Sequence, residues 1–299
     1  MTNRVWLASY PKSGNTWFRI LIHCLDLEPG DTLDINRLGT PIASARAPFE
    51  DATLLDSDIL TRAEVEALRP RIHERPDPDM GHHRNRPTTQ FVKTHDAYSL
   101  TPQGEPLLAG ARGAKGAILI VRDPRDVVSS LAGHKHISRD EAITFLDNPD
   151  AAFGVGSRGL PSHLHQQLGR WSDHVAGWLN QRDIAVHLVR FEDLQRDTAH
   201  ILRDAMAFAG RTVTREQVEH AVQMANFGAL QAQETRTGFR ETARKAAVFF
   251  RRGQAGAWRD ELTLRQTRDI ELAHGPMMAT IGYDLTFSPP PPHRKFEQS

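Results

Sequence analysis

The sequence predicts an α/β fold, a single domain with a mostly parallel central sheet flanked by helices. Three short segments are apolar or nearly so and are bounded by turn or polar residues: residues 5–9, 117–121 and 184–189. This pattern is typical of buried parallel strands. Helix patterns alternate with these segments along the chain, which favours a parallel sheet over an antiparallel one.

The elements follow in order from the N-terminus. The first strand leads through a tight turn into a helix at residues 16–27, and residues 90–94 form a weaker fourth strand candidate. Further helix patterns lie at residues 61–68 (with Thr61 and Glu64 as a capping box), 126–131, 164–179 and 197–209. Because ligands of parallel sheets bind beyond the carboxyl ends of the strands, we expect the turns after Ser9, Thr94 and Val121 to converge.

Composition bounds the class of protein. The chain has 299 residues, 39% of them hydrophobic and 25% charged, with a formal net charge of zero. These values are ordinary for a globular protein, and no bulk field favours nucleic acid or a membrane as a partner. Cys24 is the single cysteine, so no intrachain disulfide can form, and its apolar surroundings predict a buried thiol. With neither signal peptide nor membrane span apparent, we expect a cytoplasmic protein.

The turn between the first strand and the first helix has the composition of an anion site. It runs from Tyr10 to Trp17 and contains Lys12, Ser13 and Thr16. Backbone N–H groups and the positive end of the helix dipole converge at such a turn, and the lysine and the hydroxyls add donors. The usual triphosphate loop has its lysine after the last glycine, whereas here the lysine comes first.

The segment from Tyr10 to Trp17 resembles the 5′-phosphosulfate loop of the cytosolic-type sulfotransferases, which use 3′-phosphoadenosine 5′-phosphosulfate (PAPS). Four further segments resemble landmarks of that family in the expected order: residues 92–95, 121–130, 190–194 and 250–259. The chain is therefore identified as a member of this family. We expect a sulfotransferase domain at residues 1–287 and a proline-rich polar tail at residues 288–299.

The resemblance implies a reaction and its catalytic residues. PAPS would be the co-substrate, and its sulfuryl group would move by in-line displacement to a hydroxyl, or an amine, of a small-molecule acceptor. His95 would act as general base, Lys12 would stabilise charge on the bridging oxygen, and Lys93 would assist at the sulfuryl group. No metal is expected, because a sulfuryl group carries less charge than a phosphoryl group.

The resemblance also implies the residues that hold the co-substrate. They are Lys12, Ser13, Gly14, Asn15 and Thr16 at the 5′ end, Arg122, Ser130, Arg251, Arg252 and Gly253 at the 3′-phosphate, and Trp17, Phe191 and Phe227 around the adenine. The guanidinium fork of Arg122, at the end of a buried strand, suits a doubly charged phosphate.

Three positions depart from the family pattern. Asn15 replaces a threonine but can still donate a hydrogen bond, Phe191 replaces a tyrosine, and Ala225 replaces a hydroxyl residue. The last two changes shift adenine recognition toward stacking. The family's dimerisation motif is matched only by Thr263 and Leu264, since Arg268 stands at its glutamate position, so the resemblance predicts no oligomeric state.

Two other functions remain open at this point. A P-loop kinase would place Asp123 on Mg²⁺, and a non-catalytic protein would only sense PAPS or its desulfated product. Acceptor contacts are expected from residues 28–86, 134–161 and 236–248. In the basic cluster at residues 236–252, Arg236 and Arg240 are expected to be solvated, as are the histidines at positions 82, 83, 134, 136, 163 and 165.

Overall fold

The predicted parallel sheet is confirmed. The computed structural model describes residues 2–28, 30–75, 89–154, 162–242 and 248–287. Its strands are β1 (Arg4–Ser9), β2 (Gln90–Thr94), β3 (Gly116–Val121), β4 (Ala152–Phe153), β5 (Gln166–Gln167) and β6 (Ala185–Arg190). Four of them form the central sheet in the order β2-β1-β3-β6, with every neighbouring pair parallel, while β4 and β5 form a separate antiparallel pair.

Helices cover both faces of the sheet. They are α1 (Asn15–Cys24), α2 (Arg46–Thr53), α3 (Arg62–His73), α4 (Gly110–Gly113), α5 (Pro124–Lys135), α6 (Arg139–Leu146), α7 (Trp171–Asn180), α8 (Phe191–Arg196), α9 (Thr198–Phe208), α10 (Arg215–Met224), α11 (Phe227–Thr237), α12 (Trp258–Glu261) and α13 (Leu264–Thr280). Short 3-10 turns lie at Ile35–Arg37 and Ser57–Ile59. Among the described residues, no helix is long and apolar enough to cross a membrane.

The sequence patterns located five of these helices, α1, α3, α5, α7 and α9, without all of their ends, and did not locate the others. The capping box of Thr61 and Glu64 is confirmed at the start of α3. The helix predicted at residues 164–179 is wrong over its first part, because residues 166–167 pair with β4 and the helix begins only at Trp171. The predicted tail at residues 288–299 and the side chains of His82, His83, Arg244 and Lys245 lie outside the described residues.

Successive side chains of a strand point to opposite faces of the sheet, so the core is divided into two layers. Val5 and Leu7 of β1 pack with α1, α9 and α10, and Cys24 is buried in this layer, as predicted. Trp6 and Ala8 face the opposite layer, which α5, α7 and α13 cover. The central strands β1 and β3 are thus buried on both faces, which leaves the ends of these strands as the place for polar chemistry.

A further segment lengthens the sheet at the β2 edge. The Lys93 N–H donates to the carbonyl of Pro41 at 2.9 Å, and the Ala43 N–H donates to the carbonyl of Lys93 at the same distance. Ile42 is thereby held beside the carboxyl end of β2. Ile42 and Lys93 of this edge both line the cavity at the carboxyl ends of the strands.

Candidate active site

A cavity of about 450 Å³ lies at the carboxyl ends of β1, β2 and β3. Its wall contains every residue that the resemblance assigned to catalysis or co-substrate binding except Ser13, namely Lys12, Gly14, Asn15, Thr16, Trp17, Lys93, His95, Arg122, Ser130, Phe191, Phe227, Arg251, Arg252 and Gly253. The side chain of Ser13 is fully buried, and its Oγ has no hydrogen-bond partner among the described residues. The turns after the three strands therefore converge, as their order in the sheet predicts.

The turn after β1 exposes the start of α1 to this cavity. Lys12 and Gly14 both adopt left-handed backbone conformations, with φ of 71° and 97°. A Cβ on Gly14 would lie 2.5 Å from the Phe191 ring, so only glycine fits there. No side chain in the described part of the chain caps α1, which leaves its first N–H groups without side-chain acceptors. Such a helix start attracts anions.

The polar side chains of this turn have other partners in the structure. The Asn15 amide donates to the carbonyl of Leu7 at 2.9 Å and to the Ser9 hydroxyl at 3.1 Å, which ties α1 to β1. The Thr16 hydroxyl donates to a carboxylate oxygen of Glu241 at 3.2 Å. An anion at this turn would therefore be held mainly by backbone N–H groups and by lysines, with less contribution from Asn15 and Thr16 than the sequence suggested.

Two lysines supply the positive charge. Burial and the neighbouring charges of Lys93 and Arg122 lower the pKa of Lys12 to about 8. Burial also lowers the pKa of Lys93 to about 8, although Glu241, whose carboxylate lies 3.7 Å from the Lys93 ammonium, opposes the shift. Both ammonium groups are thus mostly charged at neutral pH but lose a proton more readily than ordinary lysines.

His95 presents one free ring nitrogen. Its Nδ1 lies 2.8 Å from the carbonyl of Ser9, and because a carbonyl only accepts, Nδ1 must carry the hydrogen. Among the described residues, Nε2 has no hydrogen-bond partner, so it is the ring nitrogen that can accept a proton. Burial, reinforced by the charge of Lys93, holds the pKa of His95 well below its usual value. The imidazole is therefore neutral at pH 7 and able to accept a proton.

Arg122 lies in the cavity wall, where the C-terminal loop meets α5. Its guanidinium stacks 4.6 Å from the Phe191 ring centroid and donates to the carbonyl of Gln254 at 3.0 Å, while its buried Nε has no partner among the described residues. The Asp126 carboxylate accepts the N–H groups of Gly256 at 2.7 Å and Trp258 at 2.8 Å. Asp126 therefore anchors the loop that carries the other arginines.

Arg251 and Arg252 are paired with a carboxylate that the sequence did not single out. Each approaches Glu261 to 3.0 Å, and their side chains are 44% and 49% exposed whereas that of Glu261 is 6% exposed. All three residues lie in the cavity wall. The two arginines predicted to bind the 3′-phosphate therefore line the cavity, but both form ion pairs with Glu261 in this structure.

Three aromatic residues form one side of the cavity. The Trp17 indole N–H donates to the carbonyl of Ala225 at 3.0 Å, and its ring meets Phe191 edge-on at 5.7 Å. Phe227 packs against Gly253, whose φ is +58° and where any Cβ would overlap the Phe227 ring. These contacts fix the ring positions while leaving part of Trp17 and Phe227 exposed.

Sequence reasoning missed several residues of the wall. The prediction of solvated histidines is wrong for His134 and His163, which are half-buried in the wall, and burial lowers the pKa of His134 to about 4. Arg240 also lines the cavity, although its side chain is exposed. Glu241 had a signal in the sequence, because it is the only acid in the basic run at residues 236–252.

The structure gives Asp123 a role that is incompatible with binding Mg²⁺ in the cavity. Its carboxylate forms an ion pair with Arg125 at 2.6 Å, both side chains being buried, and it caps the start of α5. Asp123 does not line the cavity. The kinase alternative therefore lacks the carboxylate on which it depended.

The family is settled by comparison with known proteins. Residues 2–282 match the sulfotransferase domain family, so the chain belongs to this family and is a transferase. It is 27% identical to sulfotransferase 2B1 of Rattus norvegicus over 92% of this chain and 70% of that protein. It is 25% identical to cytosolic sulfotransferase 17 of Arabidopsis thaliana over 90% of this chain and 72% of that protein.

A solved structure shares the fold. It is the structure of retinol dehydratase in complex with androsterone and the inactive cofactor PAP, with a TM-score of 0.58 and 21% identity. The match covers 95% of this chain and 82% of that one. The α/β architecture predicted from the strand and helix patterns is thus that of a sulfotransferase fold.

Proposed function

We propose that this protein transfers the sulfuryl group of PAPS to a hydroxyl, or an amine, of a small-molecule acceptor. The observation that carries the proposal is the meeting of Lys12, Lys93 and the free Nε2 of His95 beside the uncapped start of α1. A cationic cradle next to a neutral base suits transfer of an anionic group to a nucleophile that must lose a proton. The complex of retinol dehydratase with PAP and androsterone supports the same assignment.

The wall of the cavity fits the co-substrate. Backbone N–H groups at the start of α1 and the two lysines would receive the 5′-phosphosulfate, and the buried Nε of Arg122, which has no partner among the described residues, is a donor suited to the 3′-phosphate. Ser130, Arg251, Arg252 and Gly253 would complete the 3′-phosphate contacts. Trp17 and Phe227 would receive the adenine, with Phe191 offering only an apolar surface.

His95, Lys12 and Lys93 each have a separate role in the reaction. His95 accepts the acceptor's proton at Nε2 while the acceptor oxygen forms its bond to sulfur. The bond from sulfur to the 5′-phosphate oxygen breaks with its electron pair on that oxygen, and the Lys12 ammonium stabilises the charge there. Lys93 stabilises the sulfuryl oxygens. Positioning and fixed charge supply the catalysis, as they do in phosphoryl transfer.

The remainder of the wall suits a compact apolar acceptor. Ile42, Phe153 and Phe249 supply hydrocarbon and aromatic surface, and His134 and His163 add imidazoles that burial keeps neutral. A small lipophilic or phenolic alcohol matches this lining better than a charged acceptor does. We also propose a cytoplasmic location, in line with the cytosolic relative from Arabidopsis thaliana.

Calorimetric titration with 3′-phosphoadenosine 5′-phosphate (PAP), in EDTA and with AMP as the comparison, tests the co-substrate. We expect tight binding of the bisphosphate alone. Arg122→Ala should weaken it about 10- to 100-fold, because a hydrogen bond to a charged group contributes ~1.5–3 kcal/mol. Arg259→Ala, which removes a guanidinium outside the cavity wall, is the matched control and should bind normally. Equal binding of AMP, or binding only with Mg²⁺, would contradict the proposal.

The affinity for PAP should fall as the pH rises through about 8. Lys12 and Lys93 bind an anion in their charged forms, which predominate below their pKa values of about 8. A bound phosphate raises these pKa values, so binding above pH 8 takes up protons, and affinity should drop by about tenfold per lysine between pH 7 and pH 9. Phosphate itself is already a dianion at pH 7, since its second pKa is about 6. Calorimetry in buffers of different ionisation enthalpy measures both the affinity and the number of protons taken up. An affinity that does not change between pH 7 and pH 9 would refute the prediction.

A further inference from the structure

The residue that follows His95 forms a fully buried ion pair. Asp96 and Arg69 have side chains that are 0% and 1% exposed. Two nitrogens of the guanidinium reach the two oxygens of the carboxylate, at 3.0 Å and 2.7 Å. Neither side chain lines the cavity, so neither is placed to touch a bound molecule.

Other hydrogen bonds fix the same stretch of backbone. The Thr94 hydroxyl donates to the Asp96 carboxylate at 3.0 Å and lies 3.1 Å from the Asp96 N–H, which donates to it. The Trp178 indole N–H donates to the carbonyl of Asp96 at 3.1 Å, and His174 Nε2 lies 3.1 Å from the carbonyl of His95. Groups from β2, α3 and α7 thus hold the peptide units on both sides of Asp96.

A buried ion pair is a poor way to gain stability alone. Removing both charges from water costs about as much as their attraction returns, and an apolar pair of similar shape often does as well. A two-point contact between a guanidinium and a carboxylate does fix the orientation of the two side chains, because both hydrogen bonds form in only one relative orientation. The base of a group-transfer reaction needs that kind of constraint, since it must lie within hydrogen-bond reach of one proton.

We infer that the Arg69–Asp96 ion pair is a positioning device for His95, holding the end of β2 so that Nδ1 stays on the Ser9 carbonyl and Nε2 stays at the cavity. This inference rests on the proposed function, and it adds two residues to which the family resemblance gave no role. Asp96 and Arg69 act only through His95, across the backbone and without contacting substrate.

The test compares two variants with the wild type. Asp96→Asn removes one charge and leaves Arg69 buried and unpaired, so it is expected to lose thermal stability as well as activity. The double variant Asp96→Leu/Arg69→Met replaces the pair with apolar side chains and should fold. In the double variant we expect kcat for transfer from PAPS to β-naphthol to fall about 100-fold, the size of effect that a small misplacement of a reacting group produces. KM and the Kd for PAP should stay unchanged.

A second readout does not depend on turnover. Nitrogen NMR of the histidine rings should show a single Nδ1–H tautomer for His95 in the wild type and a mixture in the double variant. Glu271→Gln is the control, because it breaks an equally buried pair with Arg125 between α5 and α13, and it should lower stability with normal kcat and an unchanged His95 signal. Wild-type kcat and tautomer in the folded double variant would overturn the inference. Failure of the wild type to bind PAP in preference to AMP would instead defeat the proposed function, leaving the tautomer measurement to decide the positioning.

Discussion

Replacing His95 with glutamine should lower kcat by about 10²–10⁴-fold, the usual contribution of a general base, while leaving the affinity for PAP unchanged. The imidazole is neutral, its Nδ1–H is held by the Ser9 carbonyl, and only Nε2 is available to take the acceptor's proton. Glutamine can keep the hydrogen bond to Ser9 but has no basic nitrogen. Steady-state rates with PAPS and β-naphthol measure kcat, and calorimetry measures the Kd.

His136→Gln is the matched control for this substitution. His136 is exposed and stands outside the cavity wall, so its loss should change neither kcat nor the Kd. An active His95→Gln enzyme would assign the base to another group. An inactive one that also fails to bind PAP would show instead that the substitution had damaged the cradle.

Replacing Lys12 with methionine should lower kcat about 10²–10³-fold, because a preorganised charge at the site of developing negative charge contributes that much to catalysis. Methionine retains the packing over the Phe249 ring, whose centroid lies 4.4 Å from the lysine nitrogen, and faces the same left-handed backbone as lysine does. The loss therefore reports on charge rather than shape. PAP binding should weaken as well, since in the proposed function the ammonium also faces the 5′-phosphate.

Lys135→Met provides the comparison for Lys12. Lys135 likewise lies over a phenylalanine ring, 4.4 Å from the centroid of Phe145, but does not line the cavity. Its replacement should leave kcat and the Kd unchanged. If Lys12→Met reduced only the affinity for PAP and left kcat intact, Lys12 would be a binding residue without a part in bond breaking.

The strands, and the site residues at their ends, could be predicted because both depend on the pattern of apolar and polar residues along a short segment. The segments that form β1, β3 and β6 are nearly continuous apolar runs. Because these strands are parallel, the turns that follow them lie at the same edge of the sheet. Lys12, His95 and Arg122 each come just after or at the end of a strand, which is why their meeting at one cavity could be expected from the sequence. The start of α7 was missed because Leu164 and Leu168, the apolar residues before Trp171, lie in irregular segments on either side of β5 rather than on a helical face.

The partners of the site residues were not predictable, because they are distant in sequence. Glu241 bonds to Arg19 across 222 residues, and Asp96 bonds to Arg69 across 27. No periodicity or motif encodes such contacts; they exist only once the layers have packed. The same holds for the burial that shifts the pKa values of Lys12 and Lys93, since their neighbours in the chain give no measure of it.

The carboxylate of Glu261 is an internal counter-ion for the two arginines that are proposed to bind the 3′-phosphate. Arg251 and Arg252 carry two positive charges and Glu261 one negative charge, so the cluster keeps a net charge of +1 and attracts chloride or another monovalent anion less than the two arginines alone would. A phosphate dianion carries enough charge to compete with the carboxylate and can engage Arg122 at the same time. If the proposed function holds, this arrangement would favour a dianionic ligand over the abundant monovalent anions of its surroundings.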